Sequence, residues 1–355
     1  MSIFRSAAFE GHEALHAFHD EASGLDCLIA IHSTALGPAA GGVRLWVYPD
    51  DQAAIDDALR LSRAMSYKNA MAGLDLGGGK AVILGRPSTP KTPALFEALG
   101  RAVESLGGQY WGAEDVGISP SDLAHARKAT RYMAGLEGHP AASGDPSPVT
   151  AEGVRRGMAL CVRRALGRSL SEVTVAIQGA GHVGAGLAER LAADGARLIV
   201  CDASEDRAAA VAVRTGARVV APELIFDAEC DVFAPCALGG AITAATLARL
   251  KAKVIAGGAN NQLADTAVGQ ALFDHGLTYA PDFVINGGGI INVAAEIRAL
   301  ERGETYDPAW VEAKLNQMIL TLGEVLGRSA AEGRPADQVA IEMAKQRIAL
   351  ARTGR

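Results

Sequence analysis

The fold is decided by one stretch, VTVAIQGAGHVG at residues 173–184. It begins with a short and almost wholly apolar run, which is typical of a strand in a parallel sheet covered on both faces. Gly179, Gly181 and Gly184 follow directly, and a helical pattern begins beside the last of them. A Gly-x-Gly-x-x-Gly pattern has structural meaning in this strand-to-helix context. The stretch therefore predicts a doubly wound α/β domain of the Rossmann type, with a dinucleotide site at its first turn.

The three glycines have different expected tasks. The first makes the tight turn, the second lets a pyrophosphate approach the backbone, and the third lets the helix pack on the strand. Asp202 ends the second expected strand, eighteen residues after Gly184. Its carboxylate can accept both ribose hydroxyls of NAD and would repel the 2′-phosphate of NADP. Arg207 is the one cation close by in sequence, so we predict NAD as the cofactor.

Three later loops also fall at the carboxyl ends of expected strands, where ligands bind in this fold. They cover residues 234–240, 256–262 and 286–289 and are rich in Gly, Ala and Asn. Paired asparagines can be simple turn formers, but a cofactor lying across all three loops explains them better. The cofactor-binding residues predicted from these patterns are Gly179, Gly181, His182, Val183, Gly184, Asp202, Ala237, Ala259 and Asn260.

Composition bounds the class of protein. A chain of 355 residues suggests about two domains, and 49% apolar with 21% charged residues is ordinary for a soluble globular protein. A net charge of −6 without any basic block argues against a nucleic acid or a membrane surface as partner. No apolar run approaches the roughly 18–20 residues that span a bilayer, so we expect a cytoplasmic protein. The five cysteines lack a C-x-x-C pair and are expected to be small buried hydrophobes.

The N-terminal segment carries three closely spaced histidines. Residues 8–20 are expected to form a short helix leading into a strand, which residues 25–32 complete as a hairpin. The helix would align His12, His16 and His19 on one exposed face. We favour that face over a metal site, because few carboxylates or thiols stand nearby in sequence.

A domain boundary is expected near residues 138–149, which are rich in Pro and Gly. Thr150 is expected to cap the following helix. Strands and helices alternate from there on, so we predict one domain at 1–138 and a Rossmann-type NAD-binding domain at 139–329.

A second glycine-rich stretch, YKNAMAGLDLGGGK at residues 67–80, follows a helix expected from Asp50 or Asp51 to about Tyr67. Glycine allows close approach of the backbone, and lysine is almost never fully buried unless it is paired. Lys68 and Lys80 therefore suggest a cleft where ammonium and backbone groups meet a small anion. The pattern is not a P-loop, so the chemistry is expected to use lysine and carboxylate.

Further stretches follow the order of a known family over most of the chain. They are LGPA at 36–39, GGVR at 41–44, MSYKNA at 65–70, GGGK at 77–80, AEDVG at 113–117, SPVT at 147–150, the Gly179 turn, and YAPDFVIN at 279–286. On these residues the chain resembles the glutamate/leucine/phenylalanine/valine group of amino acid dehydrogenases, most closely the members that act on leucine.

The resemblance implies reversible oxidative deamination, in which an L-amino acid and NAD give a 2-oxo acid, ammonium and NADH. It implies that Lys68 pairs with the substrate carboxylate. Lys80 would polarise the developing 2-oxo group and help activate water, which requires a pKa lowered by a dry cleft and by the Lys68 charge. Asp115 would be the general base.

Other roles also follow from the resemblance. Asn261 and the backbone of Gly41 and Gly42 would help to hold the substrate carboxylate, and Thr150 and Asn286 match positions near the nicotinamide. The first domain would bind substrate and form a homo-oligomer, a dimer or an octamer. A C-terminal helix at about 330–355 would pack back on that domain.

Substrate choice is expected to rest on small apolar positions. Ala40 replaces a leucine common in leucine-specific members, which would widen the side-chain pocket. Leucine and other branched side chains are favoured, and phenylalanine or another bulky side chain is the alternative. Arg44 is expected in a structural ion pair. The predicted pocket residues are Ala40, Ala113, Ile290 and Val293.

Two readings from other classes stay open at this point. One is a non-catalytic NAD-binding protein on the same scaffold, against which intact Lys68, Lys80 and Asp115 argue. The other is a dehydrogenase that acts on a hydroxy acid and needs no ammonium in the reverse direction.

Overall fold

The computed structural model describes residues 3–85 and 90–354. The chain divides into two compact units. Unit 1 contains the chain up to Asp145, Ile290–Val311 and the chain from Ala344 onward, and unit 2 contains Pro146–Gly289 and Glu312–Met343. The functional domains at 1–138 and 139–329 stay a prediction, because compactness alone does not say what each part binds.

Unit 1 is built on a five-stranded mixed sheet. Its strands are β1 (Ala14–Asp20), β2 (Leu25–Ser33), β3 (Ala39–Val47), β4 (Gly77–Gly85) and β5 (Tyr110–Glu114), in the order β1-β2-β4-β3-β5. Strand β2 is antiparallel to β1 and β4, and β3 is parallel to β4 and β5. The helices are α1 (Asp51–Met71), α2 (Pro93–Glu104) and α3 (Pro120–Arg127).

Alternation along the strands covers both faces of this sheet. Ile29 and Ile83 point into a core that α2 and α3 complete, whereas Ala30 and Val82 point to the face on which α1 packs. Asp50 caps α1 by accepting the N–H of Ala53, as predicted. The helix ends four residues later than expected, so Lys68 lies on its last turn.

The predicted helix within residues 8–20 is wrong. Ala14–Asp20 is strand β1, paired antiparallel with β2, which confirms the hairpin. His16 and His19 therefore alternate along a strand and share no helical face. His12 precedes the strand and is 9% exposed, and its Nε2 lies 2.8 Å from Leu59 O. Pairing with β2 outweighs the helical spacing of the histidines.

Unit 2 contains a six-stranded, fully parallel sheet. Its strands are β6 (Thr174–Gln178), β7 (Arg197–Cys201), β8 (Arg218–Val219), β9 (Val232–Pro235), β10 (Val254–Ile255) and β11 (Thr278–Tyr279). The order β11-β10-β9-β6-β7-β8 confirms the predicted doubly wound sheet, with its switch point between β6 and β9. The helices of this part of the chain are α4 (Ser147–Leu166), α5 (His182–Ala193), α6 (Glu205–Thr215), α7 (Ala244–Leu247), α8 (Thr266–Asp274) and α9 (Asp282–Ile285).

Thr150 is not a helix cap. Helix α4 begins at Ser147, and Thr150 lies inside its first turn with Oγ1 donating to Pro146 O at 2.9 Å. Pro148 accounts for the earlier start, because proline fits the first turn of a helix, where its missing N–H has no partner to lose.

Three long helices complete the chain: α10 (Gly288–Arg302), α11 (Pro308–Glu332) and α12 (Ala336–Thr353). Gly288 and Gly289 open α10, so the predicted loop at 286–289 is shorter than expected. Within unit 1, Arg347 Nη2 of α12 donates to Leu74 O at 3.1 Å, and Lys345 pairs with Glu10 at 2.6 Å. Throughout residues 3–85 and 90–354, every helix is too short or too polar to cross a membrane.

Candidate active site

The candidate site of unit 1 centres on one carboxylate that two cations share. Asp115 lies just beyond β5, Lys80 lies on β4 and Arg44 lies on β3. Lys80 Nζ donates a short hydrogen bond to Asp115 Oδ2, and Arg44 Nε donates to the same oxygen at 3.0 Å. Asp115 Oδ1 is therefore the carboxylate oxygen that neither cation holds.

Burial and charge set the protonation of this pair. Burial is the largest influence on Lys80, which is 5% exposed, and it lowers the lysine pKa. The Arg44 charge lowers that pKa as well, whereas Asp115 opposes the shift. Burial alone would raise the pKa of Asp115, but Lys80 and Arg44 outweigh burial and the pKa is lowered. The dry surroundings expected for Lys80 are present, and Asp115 is ionised near neutral pH.

Arg44 links Asp115 to a second carboxylate, that of Asp57. Its Nη1 lies 3.0 Å from Asp57 Oδ2 on α1, and Tyr48 Oη donates to that same oxygen at 2.7 Å. The prediction of a structural ion pair for Arg44 is confirmed, and one partner is the candidate base itself. Asp57 was missed because only the packing of α1 brings it to Arg44, and Tyr48 was missed because the residue that follows β3 carries no motif of its own.

Gly42 lies directly against the pair. A Cβ at Gly42 would stand 2.6 Å from Asp115 Cβ and 3.1 Å from Lys80 Nζ. A Cβ at Gly41 would stand 1.9 Å from Gly79 O. Both positions therefore exclude a side chain. The small residues Ala40 on β3 and Ala113 on β5 are buried in the neighbouring positions, and Ala113 pairs with Gly42.

Lys68 lies on the last turn of α1, between residues that contact β4. Asn69 Nδ2 donates to Gly77 O at 2.5 Å, and Ser66 N would lie 2.1 Å from a Cβ at Gly78. Lys68 itself is half-buried. The helix end is thus fixed on the glycine strand, and the role of Lys68 toward a substrate carboxylate stays a prediction.

In the glycine turn of unit 2, the tight turn at Gly179 and the close packing at Gly184 are confirmed, and the task of Gly181 stays a prediction. Gly179 has a φ of +103°, and a Cβ there would stand 2.8 Å from the backbone N of Ala237. A Cβ at Gly184 would stand 2.0 Å from Gly179 O, so the helix packs tightly on the turn. Gly181 has open space around its Cβ position. That opening fits the close approach of a pyrophosphate to the backbone.

Asp202 is fixed beside this turn. Its Oδ2 accepts the N–H of Ala180 at 2.7 Å, and its Oδ1 accepts the N–H of Ser204 at 2.8 Å and Arg207 Nε at 3.1 Å. Burial alone would raise the pKa of Asp202, but these donors outweigh burial and lower it. The carboxylate is therefore ionised, and Arg207 is its counterion.

Buried polar atoms at the switch point fit a nicotinamide. Asn286 is 4% exposed, and its Nδ2 donates to Asn260 Oδ1 at 2.8 Å, while its Oδ1 has no protein partner among the described residues. Such an acceptor suits the amide of a nicotinamide. A Cβ at Gly289 would stand 2.9 Å from Thr150 Oγ1, so Thr150 and the start of α10 are adjacent.

The remaining predicted cofactor residues lie on the same strand ends. His182 opens α5 and is exposed, and Val183 Cγ1 would stand 2.7 Å from a Cβ at Gly258. Ala237 follows β9 and is exposed, and Ala259 donates its N–H to Pro235 O at 2.9 Å. These loops meet because β6 and β9 are neighbours.

Three further predicted substrate residues lie on other elements than β3, β4 and β5. Asn261 is exposed after β10, has a φ of +50° and donates its N–H to Asp282. Ile290 and Val293 lie on the first turns of α10 in unit 1, one buried and the other half-buried. Their contacts with a substrate stay predictions.

The thiols are unlike catalytic or metal-binding groups. All five cysteines are free, and burial raises the pKa of the Cys236 thiol, the one nearest the glycine turn, to about 11. No group of three His, Cys, Asp or Glu side chains suited to a metal occurs in the described part of the chain.

One unit has a mixed sheet with a lysine–carboxylate pair, and the other has a doubly wound parallel sheet with a Gly-x-Gly-x-x-Gly turn. This combination is the one expected of a two-domain dehydrogenase. Family models described as Glu/Leu/Phe/Val dehydrogenase, dimerisation domain, and Glutamate/Leucine/Phenylalanine/Valine dehydrogenase match residues 12–132 and 204–355. The chain belongs to this Glu/Leu/Phe/Val dehydrogenase family. It is therefore an amino acid dehydrogenase, a class that uses a nicotinamide cofactor.

Individual relatives agree. The chain is 46% identical to leucine dehydrogenase of Thermoactinomyces intermedius, over 100% of this chain and 96% of the relative. It is 42% identical to valine dehydrogenase of Streptomyces coelicolor, over 96% and 93% of the two chains. The crystal structure of L-tryptophan dehydrogenase from Nostoc punctiforme aligns with a TM-score of 0.84 at 36% identity, covering 97% of each chain.

Proposed function

We propose that this enzyme catalyses reversible oxidative deamination of hydrophobic L-amino acids, with leucine favoured, and uses NAD. The observation that carries the proposal is the pair formed by buried Lys80 and half-buried Asp115 against Gly42, in a member of an amino acid dehydrogenase family. Water, the amino acid and NAD are consumed, and a 2-oxo acid, ammonium, NADH and one proton are formed.

The proton chemistry is assigned to two atoms. Asp115 Oδ1 takes and returns protons, because Lys80 and Arg44 both occupy Oδ2. Lys80 Nζ stabilises negative charge on the oxygen that becomes the 2-oxo group, and its lowered pKa lets it release a proton during water attack. Gly41 and Gly42 leave their side of the pair free of side chains, and Lys68 with Asn261 is assigned to the substrate carboxylate.

The residues of unit 2 are assigned to the cofactor. The Gly179–Gly184 turn would hold the pyrophosphate, Asp202 the ribose, and Asn286 with Thr150 the nicotinamide amide. NAD, when bound, accepts the hydride from the substrate Cα. Proton transfer and substrate binding are assigned to residues of the protein.

Asp202 and Arg207 decide between NAD and NADP. The ionised carboxylate favours the ribose diol, and the pairing with Arg207 keeps that cation from serving a 2′-phosphate. We expect NAD to exceed NADP in kcat/KM by at least ~10-fold, in line with the cost of placing like charges together. Asp202→Ser should free Arg207 and reduce that ratio. A ratio that already favours NADP in the natural enzyme would contradict this assignment.

The side-chain pocket is assigned to Ala40, Ala113, Ile290 and Val293. Similarity to enzymes named for leucine and valine supports branched aliphatic substrates. The small Ala40 and the similarity to a structure named for L-tryptophan make an aromatic substrate the second candidate. One methylene is worth about 1–3 kcal/mol of discrimination, so the two candidates differ measurably.

A substrate panel tests the proposal. Purified protein is assayed for NADH absorbance at alkaline pH with L-leucine, L-valine, L-phenylalanine, L-tryptophan and 2-hydroxy-4-methylpentanoate. We expect the largest kcat/KM with L-leucine and none with the hydroxy acid. Highest turnover with L-phenylalanine or L-tryptophan would establish the second candidate. Turnover of the hydroxy acid alone, or of nothing, would contradict the proposed reaction.

A further inference from the structure

The ladder between β3 and β4 is interrupted beside Lys80. The parallel ladder pairs Ala40 with Gly78 and Val43 with Ala81, but the intervening Gly41–Gly42 and Gly79–Lys80 do not pair with each other. On the outer sides the ladders continue, because Gly41 and Gly42 pair with β5 and Gly79 and Lys80 pair with β2. The interruption is therefore confined to the ladder between β3 and β4.

The hydroxyl of Tyr110 bridges β3 and β4 where the ladder is interrupted. It accepts the N–H of Ala81 at 3.1 Å and lies 2.9 Å from Gly41 O and 3.2 Å from Gly42 O, to which it donates. In an unbroken ladder the amide of β4 would reach a carbonyl of β3 directly. Here one phenol oxygen is inserted between the two strands.

Tyr110 is held rigidly in this position. It is fully buried, and a Cβ at Gly79 would stand 2.6 Å from its ring carbon Cδ2. Burial raises the pKa of the Tyr110 phenol well above its usual value, so the hydroxyl keeps its proton and remains a donor. The fit explains why glycine is needed at position 79.

We propose that Tyr110 is a positioning residue for the amino acid dehydrogenase reaction. Its hydroxyl links β3 to β4 where they do not pair and fixes the Lys80–Ala81 peptide, so that Lys80 Nζ lies against Asp115 and Gly42. The inference rests on the proposed roles of Lys80 and Asp115. It adds a residue on the opposite face of the sheet that acts through the backbone and touches no substrate.

Removal of the hydroxyl has a defined consequence. In Tyr110→Phe the Ala81 N–H and the Gly41 carbonyl lose their partner, and the strands can recover a hydrogen bond only by shifting relative to each other. Such a shift moves Gly42 relative to Lys80. A displacement of about 1 Å at a reacting group can cost about 10²-fold in rate.

The test compares Tyr110→Phe with Tyr132→Phe in the full-length enzyme. Tyr132 is half-buried in the same unit, and its hydroxyl contacts Arg131 rather than the interrupted ladder. Circular dichroism first establishes the folded fraction of each variant. We expect Tyr110→Phe to lower kcat about 10–100-fold per folded enzyme with the KM for NAD unchanged, and Tyr132→Phe to retain the natural kcat.

The outcomes separate the inference from the proposed function. A natural enzyme without amino acid turnover defeats the proposed function itself. A natural enzyme with turnover, and a Tyr110→Phe variant with lower thermal stability but the natural kcat, overturns the positioning role. If Tyr110→Phe does not fold, 4-aminophenylalanine at position 110 keeps the donor but weakens acceptance from Ala81. An intermediate kcat then supports the inference, and an unchanged kcat overturns it.

Discussion

Asp115 Oδ2 accepts hydrogen bonds from Lys80 and Arg44 at once, and this sharing fixes the charges of the site. A buried carboxylate without partners would tend to take up a proton, whereas two adjacent cations keep it ionised. Lys80 is driven toward its neutral form instead, since burial and the charge of Arg44 both lower its pKa. The site therefore keeps Asp115 ionised and makes the proton of Lys80 easier to release.

Asp115→Asn should abolish most turnover while NAD binding persists. The amide cannot take a proton, and removal of a general base costs about 10²–10⁴-fold. Lys80→Ala should act similarly. The measurements are kcat with L-leucine and NADH binding by fluorescence titration. Asp56→Asn on α1, whose side chain contacts Ser6 and Gln52, is the matched control. Loss of NADH binding in both active-site variants would contradict the assigned division of roles.

His32 should make the stability of unit 1 depend on pH. Burial, then the charge of His12, lowers the pKa of His32 to about 4. Its ring nitrogens contact Ser66 Oγ at 2.7 Å and Glu10 O at 3.2 Å, and Arg63 also faces it. The unfolded chain binds this proton below about pH 6.5 and the folded chain only below about pH 4. The unfolding free energy should therefore fall by about 3 kcal/mol as pH drops through that window.

Urea unfolding at pH 7 and pH 4.5 measures this effect. All three tryptophans lie in unit 1, so their fluorescence follows that unit. His32→Gln should flatten the pH dependence, while the exposed His139→Gln should leave it as in the natural protein. An equal slope in His32→Gln and the natural protein would refute the assignment.

At the scale of elements, the close packing of β4 against its neighbours accounts for its glycines. The sequence suggested clearance for a substrate, but the clearance is used largely by the protein itself. A Cβ at Gly77 would stand 1.9 Å from Ser33 O, and one at Gly78 would stand 2.1 Å from Ser66 N. Strand β4 can thus approach β2 and the end of α1 closely, which sets the height of α1 over the sheet.

Gly78→Ala should be strongly destabilising. The new methyl group would meet Ser66 N and Ser62 O of the α1 backbone, and overpacking of this kind costs about 1–3 kcal/mol or more. Because Lys68 lies on the same helix end, the KM for the amino acid should also rise. Gly85→Ala is the milder comparison, since its Cβ would meet Leu45 Cδ2 at 3.0 Å, a side-chain end that can move, and the backbone O of Trp46 only at 3.2 Å. Equal urea midpoints for the two variants would show that α1 moves to accommodate the methyl group, and would contradict this prediction.

At the scale of the whole molecule, unit 1 leaves an apolar surface at the end of β3. Trp46, Val47 and Val116 are each about half exposed. Leu45 N–H donates to Val116 O at 3.0 Å, so Val116 lies next to the end of β3 that carries Trp46 and Val47. Exposed apolar groups of this size commonly mark contacts between protein chains. The family model that matches residues 12–132 is described as a dimerisation domain.

The protein should be a homo-oligomer that uses this surface. Trp46→Asp should shift the assembly toward smaller species by placing a charge in an apolar contact, at a cost of about 2 kcal/mol or more. Analytical ultracentrifugation over a dilution series measures the mass. Leu320→Asp, at an exposed leucine of unit 2, is the control. A natural protein that sediments as a monomer, or a Trp46→Asp variant with unchanged mass, would contradict this prediction.

The sequence by itself determined the class of both units and most of the candidate residues. Apolar runs with glycine turns are local signals, so the β6–Gly179–α5 unit and the parallel sheet were predictable. Lys80 and Asp115 are 35 residues apart and were found through two separate family patterns, GGGK at 77–80 and AEDVG at 113–117. The helix assigned to 8–20 failed because three histidines have helical spacing in a segment whose pairing with β2 decides its structure.

Only the tertiary structure decided how these residues act on each other. Arg44, Asp57 and Tyr48 join the site because β3, β4 and β5 lie side by side and α1 crosses them. Tyr110 contributes from β5, because its hydroxyl reaches the stretch where β3 and β4 do not pair. Strand register and burial set these contacts, and neither is encoded in a local pattern of residues.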